Sequence, residues 1–153
     1  MVGADGALPL PWLAAPLQQG LQTPAHALLL YGPEGVGQFD LALTLAQGWL
    51  CEAPVDAPAR PCGICAACRL VQARSHPDLL VLLPEALREP LGWASGDAEE
   101  GGGEKAGKAK PSKEIKVEAV RAAVAFAQTT SARGQGKVVV LHPAERINAI
   151  ASN

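Results

Sequence analysis

Four cysteines stand at Cys51, Cys62, Cys65 and Cys68, spaced C-x10-C-x2-C-x2-C. Each C-x-x-C step turns two sulfurs toward one ion. The repeat adds a third on the same turn, and the longer span lets Cys51 close a tetrahedron from the end of a helix. Four thiolates at about 2.3 Å are the donor set of a structural zinc ion, with no coordination position left open. Gly63 sits inside the knuckle, where the chain must turn tightly. A redox pair at Cys62 and Cys65 would need thioredoxin-like surroundings that are missing, and an iron–sulfur cluster would use the same four ligands. Ile64, Ala66 and Ala67 are uncharged and only Arg69 follows closely, so the module is not built to read DNA. With four cysteines to satisfy one ion, His26 and His76 read as ordinary structural histidines.

A second chemical pattern lies in "LLLYGPEGVGQFDLA", residues 28–42. Gly32-Pro33-Glu34-Gly35-Val36-Gly37-Gln38-Phe39 follows the glycine frame of the phosphate-binding loop G-x-x-x-x-G-K-[ST]. The glycines permit the turn, and a helix start still attracts an anion. Gln38 stands where a lysine would meet the β and γ phosphates, and Phe39 where a hydroxyl would ligate magnesium. Glu34 adds a negative charge within the loop. The expectation is a vestigial loop, Gly32, Gly35, Gly37, Gln38 and Phe39, with triphosphate binding very weak and hydrolysis absent.

Downstream residues agree. A later strand of a nucleotide hydrolase usually ends in a magnesium-holding aspartate. Here "KVVVLHPAERI" puts His142 after Leu141, and Glu145 would have no bound metal-phosphate to act on. Ser75, His76 and Asp78 are neighbours in sequence, but Pro77 and the following strand place them at a turn, and adjacency is not triad geometry. No catalytic residue is assigned.

These groups must be held by elements. "PWLAAPLQQGLQ" reads as an opening helix with Pro11 near its start, Gly20 near its end, and Trp12, Leu13 and Leu17 on its buried face. "AHALLLYG" reads as a buried strand ended by Gly32. "QFDLALTLAQGWLC" has helical spacing, with Phe39, Leu43, Ala46 and Leu50 on one face and Gly48 weakening its end. A second buried strand spans roughly Leu79 to Leu83 and a third Lys137 to Leu141. Between them "VEAVRAAVAFAQTT" is helical, with Val117, Val120, Val124 and Ala127 on one face and Glu118 suiting the helix dipole. The segment from about Pro84 to Lys113 contains "GDAEEGGGEKAGKAKPSK", charged, glycine-rich and without apolar residues to bury, and reads as a flexible surface insertion. The last residues look like the opening of another helix.

Alternating strands and helices point to an α/β fold around a parallel sheet. Three strands make a thin sheet, so the chain reads as truncated before the domain is complete. Its 153 residues suit one domain, and a net charge of −2 gives no electrostatic reason for strong independent binding to DNA or an acidic membrane. No apolar run approaches the roughly 20 residues of a membrane span. "MVGADGALPLPWLAAPL" lacks a basic stretch before its apolar part and is broken by Pro9, Pro11 and Pro16, unlike a signal peptide. The default compartment is the cytoplasm, where thiols stay reduced and suit a metal better than disulfides.

"PWL", "HALLLYGPEGVG", the four-cysteine module, "SHPDL", "KVEAVRAAVAF" and "KVVVLHPAERIN" occur in this order and cover nearly the whole chain outside Gly92 to Lys110. The ordered set resembles the N-terminal domain of the delta-prime subunit family of the bacterial DNA polymerase III clamp loader. The resemblance implies a P-loop NTPase-like (AAA+) parallel sheet with flanking helices and an inserted zinc module at about 51–68, with lid and collar domains absent. It implies a subunit that does not hydrolyse ATP, working beside delta and gamma or tau subunits. The assembled complex would place a sliding clamp on primed DNA. Such subunits lend an arginine from a Ser-Arg-Cys motif to a neighbouring ATP site, and no such motif occurs here. Gamma and tau ATPases need the lysine and hydroxyl at the positions of Gln38 and Phe39, which favours delta-prime. A gamma- or tau-like ATPase and an unrelated zinc-binding interaction domain are the alternative readings.

Overall fold

Pro11 opens a 3-10 turn, Pro11–Leu13, which runs into helix α1, Ala14–Gln22. The computed structural model describes residues 1–23, 25–54, 59–93 and 111–148. Helix α2 spans Gln38–Leu50, α3 Ala66–Gln72, strand β1 Leu79–Leu82, α4 Glu85–Arg88, α5 Val117–Gln128 and β2 Val138–Leu141. The residues group into two units. One comprises Met1–Leu80 with Ala127–Val140, the other Val81–Phe126 with Leu141–Asn153.

In the first unit, Leu13 and Leu17 meet Leu41 and Leu45 of α2, with Leu8, Leu10, Leu21, Leu30 and Trp49 packed around them. Apolar burial of about 25 cal/mol per Å² makes this the main local driving force. Two glycines let α1 and α2 approach closely. A Cβ at Gly20 would lie 2.6 Å from a Leu45 methyl, and one at Gly48 would lie 2.6 Å from a Leu21 methyl. Gly48, expected to weaken the end of α2, is instead where α1 presses against it. Trp12, expected in the core, is 62% exposed and donates its indole N–H to the Val36 carbonyl at 3.0 Å.

The strand expected at Ala25–Gly32 is absent. Residues 25–32 carry no strand assignment, Leu29 is 75% exposed and Tyr31 89% exposed. A strand exists only with a ladder partner, and this segment finds none among the described residues. The other two expected strands do pair, β1 beside β2. Val138 N–H donates to the Asp78 carbonyl and His142 N–H to the Leu82 carbonyl, so both strands advance together and run parallel.

In the second unit the segment read as an insertion is tied down at both described ends. Helix α4 follows Pro84, and Ser112 exchanges hydrogen bonds with it: its N–H donates to Glu85 Oε2 and its carbonyl accepts from Ala86. Residues 94–110 lie outside the described ones. Helix α5 buries Ala123 and leaves Val124 54% exposed, so its valine face is not a core face. After β2 the chain makes a single 3-10 turn, Ala144–Arg146, and Ile147 is extended and bridges Ile115 in parallel; the helix expected to open at the last residues falls outside the described ones. Residues 149–153 lie outside the described ones.

Asp78, fully buried just before β1, anchors the loop that leads into β2. Its carboxylate accepts from Ser131 Oγ at 3.0 Å, from the Ala132 amide at 2.7 Å and from the Arg133 amide at 2.9 Å. Burial alone would raise its pKa, but the donors together hold it below the ordinary carboxylate value. A depressed folded-state pKa means stability that is present above the unfolded value near 3.9 and lost as pH falls through the folded value. Asp78→Asn is expected to lower stability by about 2 kcal/mol at neutral pH. In denaturant titrations the gap to wild type should narrow on acidification below about pH 4; a gap that does not change with pH would contradict this account.

Candidate functional site: a four-cysteine cluster and a filled phosphate loop

Helix α2 carries one site at each end. At its C-terminal end Cys51 is fully buried and extended, terminating the helix. Cys62, Cys65 and Cys68 follow on the turn before α3 and in its first residues, Cys65 being the N-cap. Cys51 Sγ lies 3.6 Å from Cys62 Sγ and 3.9 Å from Cys65 Sγ, and Cys62 Sγ lies 3.9 Å from Cys68 Sγ. All four sulfurs lie within 4.8 Å of one another. A disulfide needs about 2.05 Å, so these are free thiols brought together. Metal–sulfur bonds of about 2.3 Å in a tetrahedron set sulfur separations of about 3.8 Å, so the cluster fits one four-coordinate ion.

The surroundings suit thiolates. Amide groups of Ala53, Cys65 and Cys68 donate to the sulfurs of Cys51, Cys62 and Cys65 at 3.5, 3.4 and 3.4 Å. For Cys62, burial works to raise the thiol pKa, but the amides of Ile64 and Cys65 and the neighbouring thiols outweigh it and bring it to about 6. Burial pushes the Cys68 thiol well above its ordinary value. Glu52 braces the module. It accepts from the Ala67 amide at 3.3 Å and from Arg133 Nε at 2.8 Å, and the Arg133 hydrogen bond is the main reason its pKa is lowered.

The remaining histidines and acids lie apart from this cluster. His26 is exposed. His76 is buried, its Nδ1 accepts from the Asp78 amide at 3.0 Å, and burial lowers its pKa. The Asp78 carboxylate faces Ser131, Ala132 and Arg133, so Ser75, His76 and Asp78 do not form a proton relay.

At its N-terminal end α2 begins after Gly37, whose φ of 97° is left-handed. Gln38 folds back across the glycine loop and donates its side-chain amide to the Pro33 carbonyl at 2.5 Å. Phe39 is half-buried at the next position, and Gly32, Glu34 and Gly35 are exposed. The loop borders an open groove of about 480 Å³ lined by Trp12, Leu28, Leu29, Leu30, Tyr31 and Val36. Glu145 is exposed in the 3-10 turn after β2, and His142 is half-buried with its pKa lowered by burial.

Two side chains that motif reading passed over are Gln47 and Gln72. Gln47 is fully buried, accepting from Val2 N–H at 2.8 Å and donating to the Val2 carbonyl at 2.9 Å. Gln72 Nε2 donates to the carbonyls of Val2 and Gly63, both at 2.8 Å. Neither contact has a sequence signal beyond a glutamine one turn from a cysteine.

Residues 13–153 match the sequence-family model described as DNA polymerase III, delta subunit. The chain is 39% identical over 145 residues to DNA polymerase III subunit delta' of Pseudomonas aeruginosa, covering 94% of this chain and 36% of that protein. It is 39% identical over 67 residues to the subunit delta' of Escherichia coli, covering 44% of this chain and 20% of that protein. It is 40% identical over 55 residues to DNA polymerase III subunit tau of Escherichia coli, covering 36% of this chain and 8% of that protein. The chain thus spans little more than a third of the longest-matched relative. On these matches the chain belongs to the DNA polymerase III delta-subunit family, where its extended likeness is to delta' subunits.

Proposed function

We propose that this chain is the N-terminal, AAA+-like part of a non-catalytic clamp-loader subunit of delta-prime type. It would assemble with gamma or tau and delta subunits, and the assembled complex would load a sliding clamp onto primed DNA. The observation that carries the non-catalytic reading is Gln38. Its neutral amide lies against the Pro33 carbonyl, inside the loop that would otherwise cradle phosphate. A phosphoryl-transfer site works by positioning and by neutralising charge, chiefly with lysine and magnesium. Gln38 supplies no charge and Phe39 no metal ligand.

The alternative, a gamma- or tau-like ATPase with a substitute cation, has little support. Arg133 is paired with Glu52 at 2.5 Å, and Lys137 Nζ lies 3.9 Å from Asp78. Arg133 and Lys137 are thus both turned toward acids of their own. Isothermal calorimetry with ATP and magnesium is expected to give no measurable uptake at micromolar concentration. Tight magnesium-dependent binding, or turnover abolished by Glu145→Gln, would favour the ATPase instead.

The four-cysteine cluster we assign to structural zinc. The donor set and the clustering of four sulfurs support that metal, and four thiolate ligands would leave no site for chemistry. Elemental analysis of the purified chain is expected to give roughly one zinc per molecule. Cys65→Ser should retain far less zinc after dialysis and lower the thermal midpoint, because binding free energy of a structural zinc is largely folding free energy. Retention of iron with visible charge-transfer absorption would replace zinc by an iron–sulfur cluster.

A further inference from the structure

The first ten residues reach from the hydrophobic core to the cysteine module. At one end Leu8 and Leu10 pack against the α1–α2 cluster. A turn closed by the Gly6 amide on the Gly3 carbonyl at 3.1 Å then leads back to Val2, which is 3% exposed. Val2 is gripped from two sides. Gln47 pairs with both its N–H and its carbonyl, as a strand neighbour would. Gln72 donates to the same carbonyl and also to that of Gly63. A Cβ on Gly63 would fall on the Gly3 carbonyl oxygen, so the glycine in the knuckle also makes the seat for this arm.

The placement of the two glutamines gives the arm a role. Gln47 lies one helical turn before Cys51, and Gln72 one turn after Cys68. Cys51 caps the end of α2, whereas Cys62, Cys65 and Cys68 belong to the knuckle and α3. Two ligand-bearing pieces are therefore joined through one residue, Val2, that ligates nothing. We propose that residues 1–6 are a clasp for the metal site, with Val2, Gln47 and Gln72 as positioning residues that fix the distance between Cys51 and the other three sulfurs. This rests on the reading of the cluster as a zinc site. Residues outside the ligand sphere commonly change metal affinity by about 10–100-fold through orientation alone.

The test uses the whole chain loaded with zinc(II) or cobalt(II). Gln72→Leu removes two donors from a half-buried position, and deletion of residues 2–6 removes the arm. Both variants are expected to release zinc to a chelator about tenfold faster than wild type, with unchanged helical circular dichroism. The thiolate-to-cobalt charge-transfer spectrum of the deletion variant should move toward that of Cys51→Ser, which lacks the ligand the clasp is inferred to place. Release at the wild-type rate with an unaltered cobalt spectrum would overturn the clasp while leaving the metal site intact. A wild-type chain that takes up neither ion would overturn the metal reading itself.

Discussion

Burial of α2 along nearly its whole length is the constraint on which both sites depend. Eight of its residues are buried, Leu41, Leu43, Thr44, Leu45, Ala46, Gln47, Gly48 and Leu50. A helix of 13 residues is about 20 Å long, so fixing its axis fixes where the glycine loop and Cys51 stand. Such burial admits polar side chains only with partners. Thr44 satisfies itself locally, donating to the Asp40 carbonyl at 2.6 Å, whereas Gln47 pairs with Val2, 45 residues away. The helix therefore recruits the start of the chain, and with it the contacts that reach the cysteine module.

The two ends of this helix make opposite demands. A phosphate cradle must stay open, keep backbone donors free and hold a cation in reserve. A four-thiolate site must close, exclude water and let amides share the sulfur charge. At the cysteine end four sulfurs lie within 4.8 Å of one another and three backbone amides donate to them. At the glycine end the turn is kept, with Gly37 left-handed ahead of the helix. The Gln38 amide donates to the Pro33 carbonyl.

What the sequence disclosed depended on the range of the interaction. Helices at 14–22, 38–50 and 117–128 follow from residues three and four apart, and the cysteine cluster from spacing and chemistry. Strands β1 and β2 were legible because each is a short apolar run that finds the other. The same reasoning failed for Ala25–Gly32, equally apolar, because ladder partners are not written in a strand's own composition. Trp12 failed similarly: its type suggested burial, but its indole found the Val36 carbonyl at the surface. Gly48 and the pair Gln47–Val2 depend on what lies across the contact, 27 and 45 residues away for Leu21 and Val2.

The loop ahead of β2 extends the same logic. Asp78 and Glu52 are far apart in sequence, yet both bind residues 131–133, Asp78 through Ser131 and two amides and Glu52 through the Arg133 side chain. Arg133 is held by backbone to one acid and by guanidinium to the other. Glu52 in turn follows Cys51 and accepts from Ala67, beside Cys68. The cysteine module is thus braced on one side through Glu52 and on the other through Val2, by polar contacts in both cases. Apolar packing is non-directional and could hold α3 near α2 at several distances; hydrogen bonds with fixed donors and acceptors select one. The contacts of Glu52, Gln47 and Gln72 supply that selection beside the four sulfurs.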